Sequence, residues 1–342
     1  MTIRVGSHAL SCLRKYWKRE TKAWGWSLDL VLFPVEVLYR TCVRLRLFFY
    51  KVKVLKSHEL LVPVISVGNI AIGGTGKTPF SRWLFETMRE MGFTPGLISG
   101  KVGRDEHMLH KVWNPDGLFI IGRSKVTEAK LAAVRGANVV ILDDGFQHLG
   151  LARNIDVVLV SAEHEGLKKC FPRGLFREPL SSISRADMVI VSRKTASRSR
   201  AQKVVQKIAE FVPEERIGQI NLGFSCWKNI GGDKIEGPVG QTLVVTSIAE
   251  PEIFMEIVAA NVGEIPEMEI YRDHHEFTRS ELESLSLRAK GYKVVTTEKD
   301  AVKLKEFPGI LDNVYVLCLE LRWELGEHQM IDILRSLKER SQ

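Results

Sequence analysis

The chain is poor in cysteine, with five among 342 residues (Cys12, Cys42, Cys170, Cys226, Cys318), scattered and never in Cys-x-x-Cys spacing. An odd, dispersed set supports neither a zinc site nor a disulfide framework and reads as reduced thiols. No apolar run reaches the ~20 residues that a bilayer-spanning helix needs. The richest stretch, around 24–49, is interrupted by Asp29, Pro34 and Glu36. Its long basic lead-in, the lack of a small-residue cleavage site and the basic residues that continue through Arg40, Arg44, Arg46, Lys51 and Lys53 exclude a secretory signal. Internal repeats, low-complexity tracts and recognisable nucleic-acid-binding motifs are also lacking, so no nucleic-acid partner is expected.

Charge, in contrast, is unevenly spread. The net charge is +8, and residues 1–60 alone carry 12 Lys/Arg against four Asp/Glu. Basic charge here coincides with aromatic and aliphatic bulk. Two arrangements satisfy it: an interfacial helix on an anionic membrane surface, or a basic helix packed on the protein itself. The sequence reading favours the membrane.

Val64-Ile65-Ser66-Val67-Gly68-Asn69 runs as a buried-type strand into Ala71-Ile72-Gly73-Gly74-Thr75-Gly76-Lys77-Thr78-Pro79. This is the form of a nucleoside-triphosphate loop: glycines let backbone N–H groups wrap phosphates, Lys77 reaches the β and γ oxygens, and the Thr78 hydroxyl can hold Mg²⁺. Ala71 stands where the usual pattern begins with glycine. A matching carboxylate source follows in Val139-Val140-Ile141-Leu142-Asp143-Asp144-Gly145, where two acids end an apolar strand. Adjacent buried carboxylates are costly without a cation, so Asp143 or Asp144 is expected beside Mg²⁺. A plain Asp-Gly turn is the less informative alternative.

Strand-like runs at 95–99, 118–121, 139–142, 155–160 and 188–192 alternate with helical or turn-rich stretches. They predict an α/β fold with a P-loop NTPase-type, mostly parallel sheet. A helix near 200–211 followed by Pro213-Glu214-Glu215 marks a boundary. Strands at 241–247, 267–271, 293–297 and 314–319, with helices near 251–261, 280–291 and 328–340, predict a second, smaller α/β domain. The expected segments are 1–56 (basic, amphipathic), 57–213 (P-loop domain), 214–325 (smaller domain) and 326–342 (C-terminal helix), with ligands at the C-terminal ends of the strands.

These motifs, in this order, resemble the tetraacyldisaccharide 4′-kinase family of lipid A biosynthesis. The resemblance is carried by Gly73-Gly74-Thr75-Gly76-Lys77-Thr78-Pro79, Asp143-Asp144-Gly145-Phe146-Gln147-His148, Pro172-Arg173-Gly174-Leu175-Phe176-Arg177-Glu178-Pro179-Leu180, Asp273-His274-His275-Glu276-Phe277 and Thr297-Glu298-Lys299-Asp300-Ala301-Val302-Lys303. It implies ATP and Mg²⁺ as cofactors and an acylated glucosamine disaccharide 1-phosphate as acceptor at its 4′-hydroxyl. The implied location is peripheral, on the cytoplasmic face of the bacterial inner membrane, with no protein partner.

The family's Arg-Gly-Tyr-Gly-Arg and Gly-Asp-Glu-Pro blocks are represented only by a shortened stretch over 99–107. In it Asp105 and Glu106 correspond to the Asp-Glu pair. By that correspondence Asp105 is the base for the sugar hydroxyl, His274 its partner, and Glu106 joins Thr78, Asp143 and Asp144 as a metal ligand. Arg177 and Glu178 stand either near the nucleotide or in a structural ion pair. The 297–303 block carries no assigned chemistry.

Two other functions compete. A GTPase switch wants Asn/Thr-Lys-x-Asp, and Thr297-Glu298-Lys299-Asp300 misplaces the lysine. A membrane-associated ATPase acting as a partner-binding or positioning module fits the basic N-terminus. Such ATPases, however, carry a second lysine before the paired glycines, where this chain has Ile72.

Overall fold

The computed structural model describes residues 2–3, 17, 25–100, 104–164 and 169–339. The chain forms two compact units, both discontinuous in sequence. One comprises Ser7–Lys101, Gly117–Asn221 and Trp323–Gln342, and the other Met1–Gly6, Val102–Asp116 and Leu222–Arg322. This differs from the contiguous segments expected above. Residues 104–116 fold with the second set of strands, and the C-terminal helix Glu327–Glu339 belongs with the first.

In the first unit the strands run in the order Leu118–Gly122, Pro95–Gly100, Val139–Asp143, Val64–Asn69, Ile155–Ser161 and Met188–Arg193, followed by the start of Ile217–Asn229. All these neighbours are parallel. Every residue of Val64–Asn69, Val139–Asp143 and Ile155–Ser161 is buried. That explains their unbroken apolar runs, since a parallel sheet covered on both faces leaves no strand face for water. The register sets Val67 opposite Asp143, so the glycine loop and the paired acids leave adjacent strands at the same end.

Helix Lys77–Glu90 begins from Gly76 in a left-handed conformation (φ 84°) and carries Pro79 in its first turn, where a missing N–H costs nothing. Phe80, Leu84, Phe85 and Met88 form its buried stripe. Gly68 is required by close approach: a Cβ there would lie 2.5 Å from the Phe146 Cβ and 2.7 Å from its backbone nitrogen. The acidic turn folds directly over the strand that feeds the glycine loop.

The long helix Gly25–Lys51 also belongs to this unit. The two acids that break its apolar run, Asp29 and Glu36, are its anchors. Glu36, 3% exposed, accepts from the Cys170 N–H (2.9 Å) and from Arg173 (2.8 Å). Asp29 accepts from Lys169 (2.8 Å) and Arg173 (3.1 Å), and the Tyr39 hydroxyl donates to the Arg177 carbonyl (2.8 Å). Among the described residues no helix is long and apolar enough to cross a membrane.

In the second unit a parallel sheet runs Thr2–Ile3, Glu267–Ile270, Thr242–Thr246, Lys293–Thr297 and Val314–Leu325. Helices Pro251–Val262 and Arg279–Arg288 cover it, the latter started by a Thr278–Glu281 capping box. Two further helices escaped the sequence pattern. Arg104–Trp113 falls in the stretch read as a shortened loop, and Glu298–Leu304 is the 297–303 block. They pack together, with Trp113 Nε1 donating to Glu298 at 3.0 Å. The strand Ile217–Asn229 was also not anticipated; its polar residues and two glycines hide the strand pattern.

Candidate active site

In the first unit the glycine loop is braced from three sides. The Asn69 amide donates to Thr75 Oγ1 (3.0 Å), Ser192 Oγ donates to the Thr75 carbonyl (2.8 Å), and Lys194 Nζ donates to the Gly74 carbonyl (2.7 Å). The 170s block supplies the third brace, with Ile72 N–H donating to the Leu175 carbonyl (2.8 Å) and Arg177 N–H to the Ile70 carbonyl (2.7 Å). Ala71, at the deviant position, is buried and bridges Phe176 across an antiparallel contact. Gly73 (φ 128°) and Gly76 (φ 84°) hold conformations a side chain would resist.

Lys77 and Arg177 converge on Asp144. Lys77 Nζ lies 3.5 Å from one carboxylate oxygen, and Arg177 Nη1 donates to both at 3.1 and 2.9 Å. Burial pushes the Asp144 carboxyl up, but the Lys77 and Arg177 cations outweigh it and hold the group far below the usual carboxylate range. Asp144 is itself left-handed (φ 54°), a strained arrangement typical of functional turns. Asp143 is buried and accepts from Ser81 Oγ at 3.3 Å, one turn along the helix from Thr78. Glu178 is not aimed at the acids. It is buried and paired with Arg185 (2.6 and 3.0 Å), whose guanidinium lies 3.6 Å over the Phe146 ring.

Lys125 was missed from the sequence. Its ammonium donates to the carbonyls of Asp143 and Asp144, the latter at 2.8 Å. One signal was available: it opens a helix, where the dipole disfavours a cation, so it needs a local partner. Burial and the nearby Lys125 push the His148 imidazole down to about 4, so it is neutral at physiological pH. His148 and Gln147 line a cavity of about 240 Å³ with Asp144, Arg177 and Glu178, its other wall being Tyr39, Val43, Arg46 and Leu47 of the long helix.

In the second unit Asp105 sits in the first turn of Arg104–Trp113 and is 4% exposed. His274, 169 positions away, places Nδ1 3.0 and 3.1 Å from its two carboxylate oxygens. Lys299 and Lys303 bring their ammoniums to 3.6 and 3.8 Å from Asp105 Oδ2. Burial raises the Asp105 carboxyl, but the His274 hydrogen bond and the two lysines more than reverse it, and its pKa is lowered. The hydrogen bond to Asp105 raises the His274 pKa against opposing desolvation. His275 does something different: it stacks on Tyr271 and bonds Glu281 at 3.1 Å. Glu106, grouped with the metal ligands by the sequence reading, accepts from Lys299 at 3.2 Å and lies in this unit, whereas Thr78, Asp143 and Asp144 lie in the other. Residues 101–103 of the shortened stretch lie outside the described residues.

A nucleotide-borne Mg²⁺ needs only one or two protein oxygens beside phosphate and water. The Thr78 hydroxyl with Asp143 or Asp144 fits that requirement. Among the described residues no group of three or more His, Cys, Asp or Glu forms a self-sufficient metal cage.

A parallel sheet with a glycine loop between strand and helix, paired acids on the adjacent strand, and a separate carboxylate–imidazole pair defines a P-loop phosphotransferase. A family model described as tetraacyldisaccharide-1-P 4′-kinase matches residues 28–117 and 100–338. The chain belongs to that family. It is 31% identical to the tetraacyldisaccharide 4′-kinase of Methylobacillus flagellatus, over 86% of this chain and 88% of that protein. With the corresponding protein of Chlorobium luteolum it shares 29% identity over 91% of this chain and 98% of the other. The fold is that of the Aquifex aeolicus LpxK structure in complex with ATP (TM-score 0.71, 24% identity), covering 91% of this chain and 99% of that one.

Proposed function

We propose that this protein transfers the γ-phosphate of ATP to the 4′-hydroxyl of a tetraacyl-glucosamine disaccharide 1-phosphate, a step of lipid A biosynthesis. The observation that carries the reading is the family match along nearly the whole chain. Lys77 and the loop 71–78 bind and orient the triphosphate, and Lys77 sits where charge develops during transfer. Thr78 with Asp143 or Asp144 would hold Mg²⁺, which when bound neutralises the β and γ oxygens. Arg177 keeps Asp144 ionised and fixed in direction. Asp105, ionised and buried, accepts the proton of the attacking hydroxyl, and His274 holds that carboxylate in place and shares the proton. Incubation with γ-labelled ATP and the monophosphorylated acyl disaccharide should place label on the lipid. Release of all label as inorganic phosphate would instead favour the ATPase module.

We further propose that helix Gly25–Lys51 seats the protein peripherally on an anionic membrane, at the cytoplasmic face of the bacterial inner membrane, where ATP and an acylated acceptor meet. Support comes from its outer surface: Leu30 (78%), Val31 (66%), Leu38 (65%) and Phe48 (55%) are exposed beside Arg40, Arg44 and Lys51. Apolar insertion and cationic attraction add on such a helix. Flotation with anionic vesicles is expected to carry the intact protein up the gradient. A Leu30→Glu/Leu38→Glu/Leu45→Glu variant is expected to stay behind, because all three side chains are exposed and none is an anchor of the helix. Equal flotation of the two would remove the proposal.

A further inference from the structure

Asp300 and Lys303 form a buried ion pair (2.8 Å) that the scheme above leaves without a task. Asp300 is completely inaccessible, and its carboxylate accepts from Thr246 Oγ1 (2.8 Å), Ser247 N–H (3.0 Å), Ser247 Oγ and Thr297 Oγ1 (2.9 Å) as well as from the lysine. An ammonium has three donors. Lys303 directs them to Asp300, to Ser247 Oγ and to the His275 carbonyl (3.1 Å), and its charge stands 3.8 Å from Asp105 Oδ2. These partners bracket His274. Its N–H donates to the Ser247 carbonyl (3.1 Å), and the carbonyl of the following residue, His275, is the one Lys303 holds. His274 has φ 57°, a left-handed backbone that a side-chain-bearing residue keeps only where its surroundings over-determine it.

We propose that Lys303, locked by Asp300 and Ser247, is the positioning residue of the Asp105–His274 pair. It holds the carbonyl of the residue after His274 and, through the Ser247 hydroxyl, the residue whose carbonyl accepts the His274 N–H. This rests on the phosphotransfer reading, in which that pair handles the proton. Lys299 differs, because its ammonium is shared with Glu106 and touches none of the backbone that brackets His274.

The test is steady-state transfer to the acyl disaccharide by full-length Lys303→Met, Ser247→Ala and His274→Ala, and by each of the first two combined with His274→Ala. Misplacing a catalytic group by about 1 Å costs on the order of 10²-fold, so Lys303→Met should lower kcat by roughly that factor with KM for ATP little changed. A residue acting through His274 has nothing left to position once the imidazole is gone. Lys303→Met/His274→Ala should therefore be no slower than His274→Ala to within about twofold.

A purely structural ion pair predicts otherwise: normal kcat per folded molecule, or losses that multiply in the double variant. Either result overturns the proposal. Removing one side of a buried pair can unfold a protein, and Ser247→Ala guards against that by leaving both charges in place. It should cost about tenfold in kcat, with no further loss on top of His274→Ala. An unchanged kcat in Ser247→Ala overturns the idea as well. Failure of the wild-type protein to phosphorylate the lipid rejects the underlying reading. An active wild type with indifferent Lys303 and Ser247 variants rejects only the positioning role.

Discussion

Asp105→Ala is expected to lower kcat by about 10²–10⁴-fold, the range general-base catalysis contributes. The affinity for Mg·ATP should change little, because Asp105 lies in the unit without the glycine loop. The fold should survive: Lys303 keeps Asp300 and Lys299 keeps Glu106, so neither ammonium is left buried and unpaired. His274→Ala should fall in the same direction. If carboxylate and imidazole work as one unit, the double variant will be hardly slower than the worse single, since effects within a unit do not multiply. Kinetics of both singles and the double at saturating substrates decide it. Near-normal activity of Asp105→Ala would transfer the base role to Glu106 or elsewhere.

Lys77→Ala is expected to remove at least about 10²–10³-fold of kcat, the loss typical when one cationic or hydrogen-bonding stabiliser of developing charge is deleted. Stability should hardly move. Asp144 retains Arg177 as a two-oxygen partner, so its charge does not become an orphan. Circular dichroism and thermal unfolding check the fold, and single-turnover transfer checks the chemistry. A folded Lys77→Ala protein with wild-type turnover would refute the assignment of 71–78 as the nucleotide loop.

The two groups of candidate residues were not equally readable. The glycine loop is a local object: strand, glycines, lysine and threonine follow one another, and their chemistry needs that order. The same holds for Asp143-Asp144, which end their own strand. Asp105 and His274 were reached only through the family resemblance, and nothing in composition or periodicity pairs residues 169 positions apart. Helix Arg104–Trp113 is not announced by the sequence because only Asp105, Leu109 and His110 are buried in ten residues, too sparse a stripe. Thr297-Glu298-Lys299-Asp300-Ala301-Val302-Lys303 carries no assigned chemistry in the sequence. In fact Asp300 and Lys303 are among the most buried polar residues of the chain.

The sequence by itself determined the parallel α/β architecture, the glycine loop between strand and helix with the two acids ending a neighbouring strand, and a basic, apolar N-terminal helix. These depend on neighbours in sequence and on burial periodicity, which a chain states openly. Tertiary structure alone decided that residues 104–116 fold with 222–322, that Asp29 and Glu36 fasten the long helix and leave its apolar side exposed, that Arg177 serves Asp144 while Glu178 serves Arg185, and that a lysine–aspartate pair brackets His274. The physical reason is common to all four. A periodicity shows that a side chain is buried, but the partner that neutralises a buried charge is chosen by packing between distant segments, and local pattern carries no record of that choice.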